Sequence, residues 1–186
     1  MFERQAIPDV VLIRPKKFGD HRGFFSETFR VDRYADAGIA GPFIQDNHSL
    51  SADVGTLRGL HFQIAPSPQG KLVRCTAGRI LDVAVDIRVG SPTFGQHVAA
   101  ELTADCGEQL WVPEGFAHAF VTREPDTEVQ YKVTKYYDPE ADRGLAWDDP
   151  ALGIDWGLGG AVPVLSDKDT MHPRLADLPA HFTYQG

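Results

Sequence analysis

The stretch Leu81-Asp82-Val83-Ala84-Val85-Asp86-Ile87 decides the fold class, because a large aliphatic residue occupies every second position. Neighbouring residues of an extended chain point to opposite sides, so this alternation has the period of a β-strand and not that of a helix. The segment from Val129 to Thr134 alternates in the same way. Eight further segments are predicted to be extended: Val10–Pro15, Gly23–Phe29, Ile44–Ser49, Leu57–Gln63, Lys71–Ala77, Gly95–Leu102, Leu110–Pro113 and His118–Thr122.

Turn-forming sequences separate these segments, as expected of a chain with 18 glycines and 13 prolines. Helix is predicted only for Val31 to Ala37, ending at Gly38, and for the tail after Pro173. We find no internal repeat and no linker that would divide the chain. The pattern therefore predicts an all-β fold in a single domain, residues 1–186, built as a sandwich, a barrel or a jelly roll.

Composition restricts the class of protein. The net charge of −8 opposes nonspecific binding to nucleic acid, which requires a basic surface. The longest aliphatic run, Val10 to Ile13, is too short to cross a membrane, and Met1 to Arg4 lack the pattern of a signal peptide. Cys75 and Cys106 are the only cysteines and imply no disulfide framework. We expect a cytoplasmic protein.

Charge is unevenly distributed along the chain. The segment from Val54 to Leu81 contains four basic residues and no Asp or Glu, although 26 of the 186 residues are acidic. One interpretation is chance variation within a pair of strands. The other is a locally positive site for an anionic small molecule in an otherwise acidic protein.

His61 and His118 differ from the other histidines in their neighbours. If Leu60 and Phe62 face one side of a strand, then Arg58 shares that side and His61 faces the other. His118 follows a turn that delivers it onto the next strand. For both, a hydrogen-bonded histidine of the core is the structural alternative to a functional one. Four others lie in turns or polar contexts and are expected to be solvated: His21, His97, His172 and His181.

The spacing Pro113-x-Gly115-x-x-His118 resembles the second motif of the cupin superfamily. Metal-binding cupins carry His-x-His and a downstream Glu in their first motif, where this chain has His61-Phe62-Gln63 and no Glu before Asp82. Two histidines without further ligands make a poor site for a divalent metal, which normally takes three or four protein ligands. We therefore predict that the chain has no metal site.

A more specific resemblance covers roughly residues 4 to 170. The chain is similar to the dTDP-4-dehydrorhamnose 3,5-epimerase family in nine segments that occur in the family's order. These segments are Phe18-Gly19-Asp20-His21-Arg22-Gly23-Phe24-Phe25-Ser26-Glu27, Gln45-Asp46-Asn47-His48-Ser49, Leu57-Arg58-Gly59-Leu60-His61-Phe62-Gln63, Gln69-Gly70-Lys71-Leu72-Val73-Arg74-Cys75, Asp82-Val83-Ala84-Val85-Asp86-Ile87-Arg88, Ser91-Pro92-Thr93-Phe94-Gly95, Trp111-Val112-Pro113-Glu114-Gly115-Phe116-Ala117-His118, Tyr131-Lys132 and Ser166-Asp167-Lys168-Asp169.

The resemblance implies a cupin-type jelly roll that works as a homodimer without metal or organic cofactor. It implies an isomerase that inverts carbons C3 and C5 beside the 4-keto group of a dTDP-linked deoxyhexose. In this reading His61 is the general base, Asp169 holds its imidazole, Tyr131 is the general acid and Lys71 lies near the ketone. A base on one face of the sugar and an acid on the other are the minimum that such an inversion needs.

The resemblance also implies further substrate contacts besides Lys71. At two positions the chain departs from the family pattern. The expected contact residues are Arg22, Glu27, Gln45, Asp46, Asn47, Arg58, His118, Tyr137, Asp142 and Lys168. Asp142 stands where relatives carry Glu, Phe62 stands where Tyr is common, and the ring of Tyr137 would pack on the nucleotide base. Anionic diphosphate requires Arg or Lys partners, which agrees with the segment that lacks acids.

Without the resemblance, each of these residues has a simpler interpretation. By pattern alone Tyr131 is a tyrosine of the core, Asp169 a solvated acid, and Lys71 a surface residue at the start of a strand. Three alternative functions also stay open: an epimerase acting on C3 or C5 alone, a noncatalytic cupin that binds a sugar nucleotide, and a metal-dependent cupin enzyme.

Overall fold

A computed structural model describes residues 1–39 and 41–186 of the chain. Its strands are β1 Phe2–Arg4, β2 Val11–Ile13, β3 Lys17–Asp20, β4 Gly23–Ser26, β5 Gln45–Ser51, β6 Leu57–Gln63, β7 Lys71–Ala77, β8 Arg79–Asp86, β9 Arg88–Val89, β10 His97–Thr103, β11 Gln109–Val112, β12 Phe116–Thr122, β13 Thr127–Val133, β14 Asp142–Gly144 and β15 Phe182–Thr183. Helix in the described ranges is limited to α1 Val31–Asp36 and the 3-10 turns Lys168–Thr170 and Leu175–Asp177. None of these described helices could cross a membrane. After Pro173, where a helix was predicted, the described residues contain only the 3-10 turn Leu175–Asp177.

Two antiparallel sheets pack face to face, which confirms the predicted all-β sandwich. One sheet has six strands in the order β1-β2-β11-β7-β13-β5, and the other has five in the order β10-β8-β12-β6-β14. The β3–β4 hairpin and the parallel pair β9–β15 lie outside both sheets. Strands β6 and β7 have the bounds that the alternation predicted.

The space between the sheets is apolar over most of its width. Val73 and Leu110 of the six-stranded sheet pack in one buried cluster with Ile80, Leu102 and Phe120 of the five-stranded sheet. Complete burial of a side chain of this size contributes about 1.5–3 kcal/mol, so this cluster holds the sheets together.

Strand β8 turns the aliphatic side chains of its alternating run away from the space between the sheets, whereas Ile80 near its start faces that space. Val83 and Val85 belong to a second buried cluster on the outer face, which the C-terminal segment covers with residues such as Trp156 and Leu152. Ala84 belongs to the cluster between the sheets. Asp82, two positions earlier, faces the same interior. The alternation in this strand therefore separates two buried faces, one of which carries a carboxylate.

The outer face of the six-stranded sheet is covered by the segment around α1. Tyr34 and Ile39 pack there with Trp111 of β11, and Phe29 and Phe43 complete the cluster. The helix spans only six residues and buries one large side chain, Tyr34. This layer closes the sheet on the side opposite the interior.

Strand β6 contains a bulge at Gly59 that changes which side chains face inward. His61 pairs with His118 and Arg58 pairs with Phe120, so two residues of β6, Gly59 and Leu60, lie opposite the single residue Ala119 of β12. Gly59 has a φ of 130°, and a Cβ there would lie 2.4 Å from the Cβ of Ala119, so this position requires glycine. Arg58 and His61 consequently face the same side. The expectation that Arg58 lies on the side of Leu60 was wrong for this reason.

Candidate active site

Polar side chains occupy one end of the space between the sheets. On β5, β13 and β7 the cross-strand rows are Gln45–Val133–Lys71 and Asn47–Tyr131–Val73. Val73 belongs to the buried inter-sheet cluster, and Tyr131 packs against it, so both rows face the interior. The residues that face them from the other sheet are Arg58, His61 and His118. The sandwich thus brings residues from five strands to one cleft.

His61 is hydrogen-bonded to a carboxylate that comes from the C-terminal segment. Its Nε2 lies 2.6 Å from Oδ1 of Asp169, in the 3-10 turn Lys168–Thr170. Asp169 is only 3% exposed, so the interpretation of this residue as a solvated acid was wrong. Ser166 Oγ donates a hydrogen bond of 2.8 Å to the other oxygen, Oδ2. The carboxylate is therefore fixed at both oxygens.

The electrostatics of this pair favour a neutral imidazole beside an ionised carboxylate. Burial lowers the pKa of His61, although the hydrogen bond to Asp169 opposes that shift. Burial alone would raise the pKa of Asp169, but the contacts with His172, His61 and Ser166 hold it well below its usual range. With Nε2–H donating to Asp169, the Nδ1 lone pair of His61 is free to accept a proton.

Lys71 lies next to His61. Its Nζ donates a hydrogen bond of 3.3 Å to the backbone carbonyl of His61. Burial lowers the pKa of Lys71 to about 8, while the acids Asp142 and Asp82 partly oppose that shift. The side chain is thus a cation at neutral pH, held in a buried position and not at the surface as the simpler interpretation had it.

Tyr131 lies partly buried between the apolar cluster and the polar end of the cleft. Burial raises the pKa of its phenol, and the nearby charge of Arg58 opposes this shift only in part. The phenol therefore keeps its proton at neutral pH and can donate it. An acid that holds its proton until a basic acceptor forms suits the second half of a proton exchange.

A chain of hydrogen bonds connects the rim of the cleft. Lys168 forms an ion pair with Asp142, and the hydroxyl of Tyr137 donates to the same carboxylate at 3.2 Å. The backbone N–H of Tyr137 donates to Oε1 of Gln45 at 3.1 Å, and Nε2 of Gln45 donates to Asn47 at 2.8 Å. The ring of Tyr137 remains 58% exposed and is free to stack on a ligand.

His118 belongs to a second histidine–carboxylate pair. Its Nε2 lies 2.6 Å from Oδ1 of Asp82, and both residues are buried. Because His118 is the cross-strand neighbour of His61, the two imidazoles lie side by side in the five-stranded sheet. Asp82 was not among the predicted site residues. The available signal was its spacing of two residues from Ala84, which places both side chains on the same side of strand β8. That side faces the space between the sheets.

Three predicted contact residues do not join the cleft within one chain. Asp46 alternates with Gln45 and Asn47, so its side chain faces the outer side of the sheet, where it pairs with Lys132 at 2.9 Å. Because of this period of two, Asp46 does not face the cleft of its own chain, and its role as a substrate contact stays a prediction.

Arg22 and Glu27 belong to the projecting hairpin and the residue that follows it. Arg22 pairs with Asp20 at 2.5 Å, and Glu27 pairs with Arg33 at 3.1 Å. Both residues are exposed, and their recorded polar contacts are local. Within one chain, the hairpin therefore presents these side chains to the surroundings and not to His61.

His172 is a further residue whose surroundings differ from the prediction. It was expected to be solvated, yet its side chain is 9% exposed, and its Nε2 lies 3.6 Å from Oδ1 of Asp169. The ring stands edge-on to His61, with 5.6 Å between the ring centroids. Its position three residues after Asp169, one turn of a 3-10 helix, was the available signal.

The arrangement can exchange protons on a bound carbon acid. A neutral imidazole, a protonated phenol and a buried ammonium group occupy one cleft, and the charged lysine can stabilise an oxyanion. No other element is required for moving a proton from one face of a carbon to the other.

Comparison with known proteins points to one family. A family model described as dTDP-4-dehydrorhamnose 3,5-epimerase matches residues 4–177. A protein of that name from Sinorhizobium fredii is 56% identical over 98% of this chain and 93% of its own length. Another from Salmonella typhimurium is 50% identical over 92% of this chain and 93% of its length.

Solved structures agree in fold. A dTDP-6-deoxy-D-glucose-3,5-epimerase from Legionella pneumophila in complex with dTDP-4-keto-L-rhamnose superimposes with a TM-score of 0.95 at 44% identity, covering 100% of this chain and 99% of that one. A 3'-monoepimerase from Streptomyces bikiniensis in complex with dTDP-quinovose gives a TM-score of 0.91 at 34% identity, covering 98% and 93%.

Proposed function

The chain belongs to the dTDP-4-dehydrorhamnose 3,5-epimerase family, and from this membership we propose its reaction and the residues that perform it. It is an isomerase that converts dTDP-4-dehydro-6-deoxy-D-glucose to dTDP-4-dehydro-L-rhamnose by inverting C3 and C5. The observation that carries the proposed mechanism is the 2.6 Å hydrogen bond between His61 and Asp169 beside Lys71.

Proton removal begins at His61. Nδ1 takes the proton from the carbon beside the 4-keto group, and the electron pair of the C–H bond moves to the carbonyl oxygen as an enolate. The imidazolium that forms is stabilised by Asp169, which keeps its negative charge. Imidazole, with an ordinary pKa of about 6.5, is too weak to remove such a proton unless the enolate is stabilised as it forms.

Lys71 and Tyr131 complete the step. The ammonium group of Lys71 neutralises the developing enolate oxygen, which is the largest single assistance such a site can give. The phenol of Tyr131 then gives its proton to the opposite face of the same carbon, and the electron pair returns from oxygen to that carbon. His61 and Tyr131 regain their initial states by exchange with water. The same sequence at the second carbon completes the epimerisation.

Binding of the nucleotide uses the rim of the cleft. We propose that Arg58, His118 and Lys168 contact the anionic substrate, while Gln45 and Asn47 donate or accept hydrogen bonds at the sugar and base. In addition, Asp142 orients Lys168, and the exposed ring of Tyr137 stacks on the thymine. The acid-free segment from Val54 to Leu81 supports this assignment, because a diphosphate binds best where carboxylates are few.

The β3–β4 hairpin supports a homodimer. Three aromatic side chains of this hairpin are exposed: Phe18, Phe24 and Phe25, the last by 70%. A group of exposed apolar side chains marks a surface that another protein covers. We propose that a second copy of the chain covers these rings and that Arg22 and Glu27 complete the partner's cleft. Coexpression of His61→Asn and Arg22→Ala chains, each inactive alone, should restore part of the activity. No restoration, with a dimer present by light scattering, would leave Arg22 in its own chain's site.

The remaining sequence-based expectations belong to the same proposal: one domain over residues 1–186, located in the cytoplasm, and active without metal or cofactor. They follow from the family, whose chemistry needs only a base, an acid and a cation. Full activity after exhaustive treatment with a chelator would support the last point. Loss of activity that added Fe, Mn or Zn restores would favour a metal-dependent enzyme instead.

Deuterium exchange tests the proposed reaction directly. Incubated in heavy water with dTDP-4-dehydro-6-deoxy-D-glucose, the wild type should introduce deuterium at both C3 and C5, as read by proton NMR. Exchange at one carbon only would indicate a monoepimerase, the alternative that the likeness to the Streptomyces bikiniensis protein favours. Binding without any exchange would indicate a noncatalytic sugar-nucleotide protein. His61→Asn should abolish exchange, whereas His97→Asn, at the far edge of the five-stranded sheet, should not.

A further inference from the structure

His172 has a buried ring nitrogen that the proposed reaction does not use. Its Nε2 is shielded from solvent and makes no hydrogen bond with any residue of the described ranges. The side chain as a whole is 9% exposed. A buried polar atom without a partner normally costs about 1–3 kcal/mol, so native structures contain few of them. A nitrogen placed in this way is suited to bind a ligand.

The nitrogen points at the same carboxylate oxygen that His61 contacts. Oδ1 of Asp169 is 2.6 Å from Nε2 of His61 and 3.6 Å from Nε2 of His172. One ligand atom of each of the three residues can be chosen so that all three atoms lie within 4.8 Å of one another. Ligands of a tetrahedral Zn²⁺ at about 2.0–2.1 Å from the ion are about 3.3 Å apart, so shifts of less than about 1 Å would suffice to enclose one.

The surroundings hold these ligands in place. Ser166 fixes the second oxygen of Asp169, which is the type of supporting hydrogen bond that orients metal-binding carboxylates. The imidazole of His172 packs directly on Gly144 of β14, where a Cβ would lie 2.3 Å from its Nε2. Gly144 is the cross-strand neighbour of His61, so the backbone of one strand pair sets the positions of both rings.

We propose that His61, Asp169 and His172 form a Zn²⁺ site, and that the ion inhibits the enzyme. Two imidazole nitrogens and one carboxylate oxygen are a recurrent ligand set of zinc. The prediction of no metal site, made from the missing cupin ligands, did not consider His172.

Inhibition follows from which nitrogen the ion takes, and this part rests on the proposed role of His61. A neutral imidazole that binds a metal through Nε2 carries its hydrogen on Nδ1. Nδ1 then has no lone pair to accept the proton of the substrate. The ion also replaces the hydrogen bond to Asp169, so the carboxylate can no longer stabilise an imidazolium. Removal of the ion by a chelator restores both features.

Binding is measured first, without substrate. Metal-free wild type is titrated with Zn²⁺ against a chromogenic chelator, and Co²⁺ is added separately as a spectroscopic probe of tetrahedral coordination. We expect one ion per chain and intense visible Co²⁺ bands. His172→Gln and His172→Phe, which keep the polarity and the ring respectively, should each weaken Zn²⁺ binding at least about tenfold. His97→Gln should bind like the wild type.

Inhibition is then measured by deuterium exchange, with each variant compared with its own metal-free rate. Zn²⁺ should inhibit the wild type reversibly, and the inhibition constant should rise at least about tenfold in both His172 variants that fold, as judged by thermal unfolding. Unchanged Zn²⁺ affinity in both variants would overturn the site. Absence of exchange in metal-free wild type would instead count against the proposed function, and the binding titration would still stand.

Discussion

Replacing Asp169 by Asn removes a charge from the cleft and almost no volume. In the wild type, the carboxylate accepts a hydrogen bond from Nε2 of His61 at 2.6 Å and another from Ser166 at 2.8 Å. An amide keeps the shape and one acceptor. It can, however, turn its NH₂ toward His61, in which case Nε2 must accept and Nδ1 carries the hydrogen. The base would then be in the wrong tautomer.

The size of the effect follows from the charge that develops on His61. Proton abstraction creates an imidazolium whose charge centre lies about 4 Å from that of the carboxylate, and two unit charges at this distance attract by about 4 kcal/mol at an effective dielectric constant of about 20. Each 1.36 kcal/mol of barrier is about tenfold in rate, so full loss of the attraction corresponds to about 10³-fold. Since the amide dipole retains part of it, we expect kcat to fall by about 10²–10³-fold.

The assay is the rate of deuterium incorporation at C3 and C5 under substrate saturation. Asp169 is buried behind His61, so KM should change little. Asp167→Asn is the matched control, because it makes the same change two residues away on an exposed side chain. An Asp169→Asn variant that folds and exchanges within about tenfold of the wild-type rate would refute the assignment of Asp169 as the partner of the base.

Three further predictions concern the other parts of the site. Lys71→Met should lower kcat/KM by about 10²–10³-fold. In the wild type, kcat/KM should decline as pH rises through about 8, because Lys71 loses its charge there. A profile that stays flat to pH 10, about the ordinary pKa of lysine, would contradict the role of this cation. Tyr131→Phe should still introduce deuterium through His61 but should form epimerised product at least about 10²-fold more slowly, and equal loss of both processes would argue against a separate acid. Gly59→Ala should lower the melting temperature by about 6–12 °C, because the clash and the backbone strain together cost about 3 kcal/mol. Gly159→Ala, whose added Cβ has no atom near it, should lower the melting temperature far less. Equal losses of melting temperature in the two variants would show that the clash is not the cause.

Much of the β architecture could be read from local patterns. Strands β6 and β7 begin and end at the predicted residues, because alternation and turn residues act over a few positions of the chain. The short strands β1, β14 and β15 were not predicted, since two or three residues carry too little alternation to be recognised. Hydrogen-bonded pairing with a neighbouring strand, and not their own sequence, makes them strands.

The side of the sheet that each side chain faces was harder to predict from the sequence. In β6 the alternation placed Arg58 on the side opposite His61, and the bulge at Gly59 reverses that. A lone glycine inside a strand is a known signal of a bulge, so the sequence could have indicated a bulge at Gly59. It could not indicate which side chains the bulge would turn toward the interior. In β8 the aliphatic residues were the obvious inward set, yet they pack under the C-terminal segment while Asp82 faces the interior.

The sequence by itself determined that this chain forms many short strands, that it resembles one epimerase family, and that His61 is its candidate base. These conclusions depend on residue types at short spacing, which a linear chain displays. Tertiary structure brings Asp169 to His61 across 108 positions of the chain, a contact that only the family resemblance had implied, and it alone decided that His172 stands beside them. The C-terminal segment is held there by apolar residues that cover the outer face of a sheet, and contacts at that separation leave no period in the sequence.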